Sequence, residues 1–372
     1  MLAFGASPLR PAQARPGGAA VRSEMLRLTF GDFRSRAELT YPAGVVGGSP
    51  TVILVPGSGP EDMDADIDAR PGVPPLSHNF LDLARYLTPR GFAVLRYNKH
   101  YVTGPGRVDY QRFYAKLTLQ QMLRDAERVL RAAEADPHVD QRRIFLYGWS
   151  EGSTVAAALA VRHPELAGLI VQGPLAVSWQ DTFRYQITEV GLPYLRLLVP
   201  DGQVTNRALA RAVAGGGGLV ARSVVYYLVD PRKTSGPPAI NAQLDTNHDG
   251  AIDIETEFLP KLNAILDISF SSHGPDRIYG PGHALPTVTE QAPLLHLPVL
   301  ILQGTNDANV PPRGAHLLDA ALKAAGNRDH TLQVYRRLGH SLGPAASPIE
   351  DNFRPIAAAP LAAIVTWLTR HR

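Results

Sequence analysis

Ser150 stands in the run Gly148-Trp149-Ser150-Glu151-Gly152, between the apolar stretch Ile144-Phe145-Leu146-Tyr147 and the small-residue stretch Ser153-Thr154-Val155-Ala156-Ala157-Ala158-Leu159. The five residues alone are a weak signal; a G-x-S-x-G between a strand and a helix is a strong one. Such a turn thrusts the serine out at the carboxyl end of a sheet, and glycine two residues to either side avoids a clash between the strand and the returning helix. A hydroxyl is a poor nucleophile until an imidazole takes its proton. In a sheet of this kind the acid and then the histidine follow the serine along the chain. Asp307 falls just beyond the apolar run Val299-Leu300-Ile301-Leu302, and His340 follows the run Leu332 to Tyr335 through Leu338-Gly339. Of the twelve histidines only His340 follows a strand in this way; His330 precedes that strand, and His163 and His316 fall at a helix end and on a helix. Ser150, Asp307 and His340 are therefore the expected nucleophile, orienting acid and general base.

The oxyanion of a tetrahedral intermediate needs donors fixed in advance. One is the backbone N–H of Glu151, directly after the nucleophile. The other is expected from Pro56-Gly57-Ser58-Gly59-Pro60, which follows the apolar run Thr51 to Val55. Ser58 N–H is the first choice there and Gly59 the second, because glycine lets the backbone come close to a substrate.

A different chemistry is written at Asp245-Thr246-Asn247-His248-Asp249-Gly250-Ala251-Ile252-Asp253. These residues match the first nine positions of an EF-hand loop: oxygen donors at the first, third, fifth and ninth, glycine at the sharp turn, and isoleucine at the eighth. The expected ligands of a Ca²⁺ ion are Asp245, Asn247, Asp249, Ala251 through its carbonyl, and Asp253. The twelfth position is Thr256, with Glu255 and Glu257 on either side. The loop is therefore read as one residue longer, 245–257, with Glu257 closing it. The ion would clamp this region rather than react. The acidic string Glu61 to Asp68 lacks such spacing and reads as a solvated loop near the mouth of the site.

These residues need a frame. The chain has 372 residues with 45% hydrophobic, 19% charged and no cysteine, which excludes a disordered chain, a disulfide scaffold and thiol catalysis. A net charge of +3, with no dense Lys/Arg cluster, gives no nucleic-acid signature. No apolar run reaches the length of a membrane span. Strand-like runs alternate with helical periods, which predicts an open α/β sheet. The clearest helix starts at Thr118 as a capping box with Gln121, burying Leu119, Met122, Leu123, Ala126, Val129, Leu130 and Ala133. The alternation stops from about Pro174 to Pro298, too long for a loop, so residues 175–296 are read as a cap, with 23–174 and 297–372 as the core. The four glycines Gly215–Gly218 read as a hinge or a mobile connection within the cap. Residues 1–22 read as a frayed tail or the remnant of a secretory leader, with an A-x-A site at Ala12-Gln13-Ala14. With the calcium loop and the absence of cysteine this tilts the expected compartment outward.

Taken together, P-G-S-G-P followed by Asp62 and Asp64, A-V-L-R-Y at 93–97 and G-W-S-E-G resemble the α/β-hydrolase superfamily. Within it they are similar to bacterial serine hydrolases grouped with the serine aminopeptidases and acyl esterases. The resemblance runs from about Met25 to Arg372, the cap apart. It implies a mostly parallel eight-stranded sheet flanked by helices, with a helical cap between strands 6 and 7. It also implies hydrolysis of an ester, thioester or amide through an acyl-enzyme without a catalytic cofactor. The substrate would be a small or medium acyl ester, with the cap aromatics Trp179, Phe183, Tyr185, Tyr194, Tyr226 and Tyr227 offering a lining for the acyl pocket. Alternatives are an aminopeptidase using Glu151, Asp62 or Asp181 to hold the ammonium of a peptide, and a non-catalytic calcium-binding protein on the same scaffold. Asn98-Lys99-His100-Tyr101 departs from the Asp-Lys-Arg-Gly run usual after the fourth strand. Oligomeric state is not written in the sequence.

Overall fold

Ser49-Pro50-Thr51-Val52-Ile53-Leu54-Val55 is buried at every position, as a strand covered on both faces of a sheet must be. The computed structural model describes residues 20–68, 74–233 and 235–372; the expected tail lies almost wholly outside the described residues. Eight strands form one sheet: β1 (Val21–Phe30), β2 (Phe33–Pro42), β3 (Ser49–Val55), β4 (Ala93–Tyr97), β5 (Val139–Trp149), β6 (Gly168–Gln172), β7 (Val299–Gly304) and β8 (His330–Tyr335). Their order is β1-β2-β4-β3-β5-β6-β7-β8. β1 and β2 form an antiparallel hairpin, β2 joins β4 antiparallel, and the other pairings are parallel. β1 begins at Val21, inside the segment read as a tail, because its partner β2 extends to Pro42.

Alternate residues of the central strands feed two cores. Ile53, Val55, Leu146, Val171 and Ile301 face the helices α2 (Leu119–Glu134) and α3 (Glu151–Arg162). Val52, Leu54, Phe145, Tyr147 and Leu300 face α1 (Asn79–Leu87) and the C-terminal α5 (Ala358–His371). The helix α4 (Arg313–Ala324) connects β7 to β8. α2 buries every apolar residue expected of it, together with Asp125, which the apolar pattern did not flag. Its cap is half of the expected box: Thr118 Oγ1 accepts from Gln121 N–H at 3.0 Å, but the Gln121 side chain turns the other way and donates to Asp125.

Between β6 and β7 the chain leaves the sheet. Short helices at Trp179–Tyr185, Leu192–Leu198, Asn206–Ala214, Leu219–Ser223 and Leu262–Ser269 carry a two-residue antiparallel bridge, Gln203–Val204 with Ile252–Asp253. Within the run Gly215–Gly218, Gly217 and Gly218 sit in close packing. A Cβ on Gly217 would sit 2.8 Å from the Tyr194 ring, and one on Gly218 would sit 2.0 Å from the Asp351 carbonyl oxygen. These glycines allow the cap backbone to press against a core loop. No helix among the described residues is long and apolar enough to cross a membrane.

Candidate active site

β5 ends at Trp149 and α3 begins at Glu151, so Ser150 alone makes the turn, at φ 55° and ψ −124°. A non-glycine residue holds that conformation only when its surroundings force it. Here the flanking glycines make room: a Cβ on Gly148 would meet Gly152 O at 2.6 Å, and one on Gly152 would meet Val55 O at 2.3 Å. Ser150 N–H donates to Gln172 O of β6 at 2.9 Å, which fastens the turn to the neighbouring strand.

Asp307 follows β7 and His340 follows β8, and their side chains meet. His340 Nδ1 lies 2.8 Å from Asp307 Oδ2, both residues almost fully buried. The other interactions of this carboxylate are all donors aimed at it: Gln303 Nε2 on Oδ2 at 2.9 Å, and the N–H groups of Asn309 and Val310 on Oδ1 at 2.8 and 3.0 Å. His340 O accepts from Gln172 Nε2 at 2.9 Å, and the ring lies 5.6 Å from that of Trp149. His340 Nε2 has no hydrogen-bond partner among the described residues. His340 is among the residues that wall a cleft of about 580 Å³, together with Ser150 and Ser58. No hydrogen bond joins Ser150 Oγ to His340 Nε2 in this structure.

Two buried residues that the spacing arguments missed build the frame of this site. Asp351 Oδ2 accepts from both His340 N–H at 2.8 Å and Ala308 N–H at 3.1 Å, tying the two loops together. Lys99 Nζ donates to Gly57 O at 2.6 Å, Gly59 O at 3.0 Å and Glu151 Oε1 at 2.5 Å. The second oxygen of Glu151 accepts from Tyr279 OH of the cap at 2.6 Å, and Tyr279 stacks on Trp179 at 3.8 Å. Asp351 lies 44 residues past Asp307, and Lys99 52 residues before Glu151, so no local pattern joins them.

One wall of the cleft is acidic. Glu61 and Asp62 are buried rather than solvated, Asp64 pairs with Arg96, and Asp66 pairs with His78, so the acidic string is a built loop and not the solvated one expected. Burial pushes the Glu61 carboxyl up to about 8, against the pull of Lys99 and of the Gly57 N–H that it accepts at 2.8 Å. Burial and the neighbouring Asp66 raise Asp62 to about 6. Of the three acids considered as ammonium anchors, Asp62 lines the cleft, Glu151 is occupied by Lys99 and Tyr279, and Asp181 is exposed and bonded to Ser178.

A model of the serine aminopeptidase family matches residues 70–216. The esterase EstD of Thermotoga maritima is 28% identical over 150 residues, 40% of this chain; the chain spans about a third of that relative, 32% of its length. The proline iminopeptidase of Mycobacterium smegmatis superposes with a TM-score of 0.52 at 16% identity, covering 94% of this chain and 98% of that one. An acylaminoacyl peptidase of Pyrococcus horikoshii superposes at 0.51 with 11% identity, over 94% of this chain and 41% of that one. The chain has the α/β-hydrolase fold. None of these proteins is described as binding calcium.

Inserted in this fold, the loop 245–257 folds as its motif predicts in part. Asp245 Oδ2 accepts from Gly250 N–H at 3.1 Å, Asn247 Oδ1 from Asp249 N–H at 3.0 Å, and Asp249 Oδ1 from Ala251 N–H at 3.0 Å. A five-residue π turn, Ile254–Phe258, absorbs the extra residue and swings Glu257 rather than Thr256 into the loop. There its carboxylate accepts from the N–H groups of Thr246, Asn247 and Asp253, and these donors hold it down at about 2. Asp253 is spent in the same way, capping that turn at Glu255 and Thr256. The expected ligands thus share one loop, but most of their oxygens face N–H donors instead of one point. Asp245 Oδ1 is the exception, buried and without a partner among the described residues. The one set of three Asp, Glu or His ligand atoms that converges among the described residues is elsewhere, at Glu24, Asp136 and His138.

Proposed function

We propose that the chain is a serine hydrolase that cleaves a carboxylic ester, thioester or amide through an acyl-enzyme. The observation that carries this reading is the buried His340–Asp307 pair, in which Nε2 has no partner among the described residues and His340 lines the same cleft as the strained Ser150. His340 Nε2 takes the Ser150 proton as Oγ attacks the carbonyl carbon, and the carbonyl π electrons move onto oxygen. The N–H groups of Ser58 and Glu151 hold that oxyanion. It collapses, the leaving group departs with the proton from His340, and the acyl group stays on Oγ. Water, deprotonated by the same nitrogen, then releases the acid. Asp307 orients the imidazole and balances its transient charge. The residues of this sequence require no cofactor for any of these steps.

The cap supplies room for the acyl part. A 310 Å³ cavity beside Ser150 runs between Trp179, Phe183 and Leu219, and a larger cavity of 980 Å³ beyond Phe183 is lined by Tyr226, Tyr227, Ile265 and Ile268. A bulky apolar acyl ester fits this chemistry. A second reading, an aminopeptidase, is favoured by Asp62 and Asp66, which line the cleft together with Ser150 and suit a substrate ammonium, while Glu61 beside them keeps its proton up to about 8. Turnover of p-nitrophenyl esters of increasing chain length, set against aminoacyl p-nitroanilides, separates the two. In either case Ser150→Ala is expected to lose at least about 10³-fold in kcat with an unchanged circular dichroism spectrum. Undiminished turnover by that variant sinks the reading.

A further inference from the structure

We infer that Lys99 is a positioning residue for the oxyanion hole, holding both of its N–H donors through a single buried ammonium. The inference rests on the serine-hydrolase reading and deepens it. The two proposed donors sit on separate pieces of chain, Ser58 after β3 and Glu151 at the start of α3. Neither N–H donates to a protein acceptor among the described residues. Oxyanion donors act only if they are aimed before the charge develops. The Ser58 loop is glycine on both sides and has little stiffness of its own.

Lys99 supplies it. Its ammonium is 2% exposed and takes the Gly57 and Gly59 carbonyl oxygens at 2.6 and 3.0 Å. In a trans peptide the carbonyl and the following N–H point in opposite directions. Holding Gly57 O on the Lys99 side therefore turns Ser58 N–H away from it. The loop lies on the elbow itself, since a Cβ on Gly57 would come within 3.3 Å of Ser150 Cβ. The third donor of the ammonium goes to the Glu151 carboxylate, 1% exposed, whose own backbone N–H is the second oxyanion donor. One side chain thereby sets the distance between the two arms. Tyr279, donating to the other Glu151 oxygen, adds a link from the cap.

Removing the charge alone would strand the Glu151 carboxylate, so the test pairs Lys99→Met with the double variant K99M/E151Q, which removes both members of that ion pair. For the double variant, kcat on p-nitrophenyl butyrate is expected to fall about 10²-fold with KM within threefold of the parent. The Ki of a trifluoromethyl ketone, whose hemiketal alkoxide occupies the oxyanion position, is expected to rise by a similar factor. A merely structural ion pair would leave both unmoved once folding is restored. Parent-like kcat and Ki in the folded double variant overturn the inference. Should that variant not fold, Lys99→Arg keeps the charge while displacing the donors: a lowered kcat at constant KM supports the role, and a parent-like kcat overturns it. Ser150→Ala serves as the control. If it is inactive while K99M/E151Q is unaffected, only the role of Lys99 falls; if it stays active, the hydrolase reading falls first.

Discussion

Asp307 takes four hydrogen bonds and stays buried beside His340, so its carboxyl group is held in one orientation against the ring. Asp351 does different work, because it touches only backbone. With the two N–H groups that it accepts left buried and unmade in Asp351→Ala, stability is expected to drop by about 2–4 kcal/mol, at roughly 1–3 kcal/mol for each stranded group. Asp351→Asn keeps an acceptor in the same place and should lose far less. Urea unfolding of both variants measures this, and labelling by a fluorophosphonate probe reports whether the His340 loop has drifted from Ser150. Equal stability of the alanine variant and the parent would remove Asp351 from the frame. The close fit explains Gly339 as well, since a Cβ there would lie 2.0 Å from Asp351 Oδ1.

At the scale of the elements, the sequence was readable where one physical cause acts over a few neighbouring residues. The flat apolar runs of β3, β5 and β7 and the seven-residue face of α2 follow from burial, and the elbow follows from sterics at Gly148 and Gly152. Illegible features depend on distant partners. The Asn98-Lys99-His100-Tyr101 loop is an example: His100 packs between Phe30 and Phe33 and bonds Asp125, and Lys99 reaches the loop after β3 at Gly57. The cap was visible as an interruption, but its bridge joins Val204 to Ile252 across 48 residues, and its glycine run proved to be a packing surface. The calcium loop stands between these cases: its turns form as written, while a π turn that no residue count predicts decides that Glu257 closes it. We propose that Ca²⁺, if added, draws Asp245 Oδ1 and Glu257 onto the ion and stiffens the cap. Millimolar Ca²⁺ is then expected to raise Tm by several degrees, EDTA to reverse it, and Asp245→Ala to abolish the response. A Tm indifferent to calcium would reduce the loop to an Asx-rich turn.

For the whole molecule, the acidic wall links the site to stability. Glu61 sits in the loop that closes the cleft, and burial raises its folded-state value from 4.5 to about 8. Between those values the folded chain keeps a proton that the unfolded chain has lost. The native state therefore binds more protons, and by linkage stability falls as pH rises through this window and levels off above it. Asp62, raised from 3.8 to about 6, adds a smaller loss of the same sign over a lower window. Glu61→Gln keeps an amide oxygen for the Gly57 N–H and carries no titrating proton. Relative to the parent, its stability is expected to improve on going from pH 5 to pH 9 by on the order of 2–4 kcal/mol. Urea midpoints of the two proteins at both pH values measure the difference directly. The same loop is also held by Lys99, bonded to Gly57, Gly59 and Glu151. A variant whose midpoint tracked that of the parent across the range would mean that Glu61 titrates as an ordinary surface carboxyl, and that the cleft wall is wetter than its burial implies.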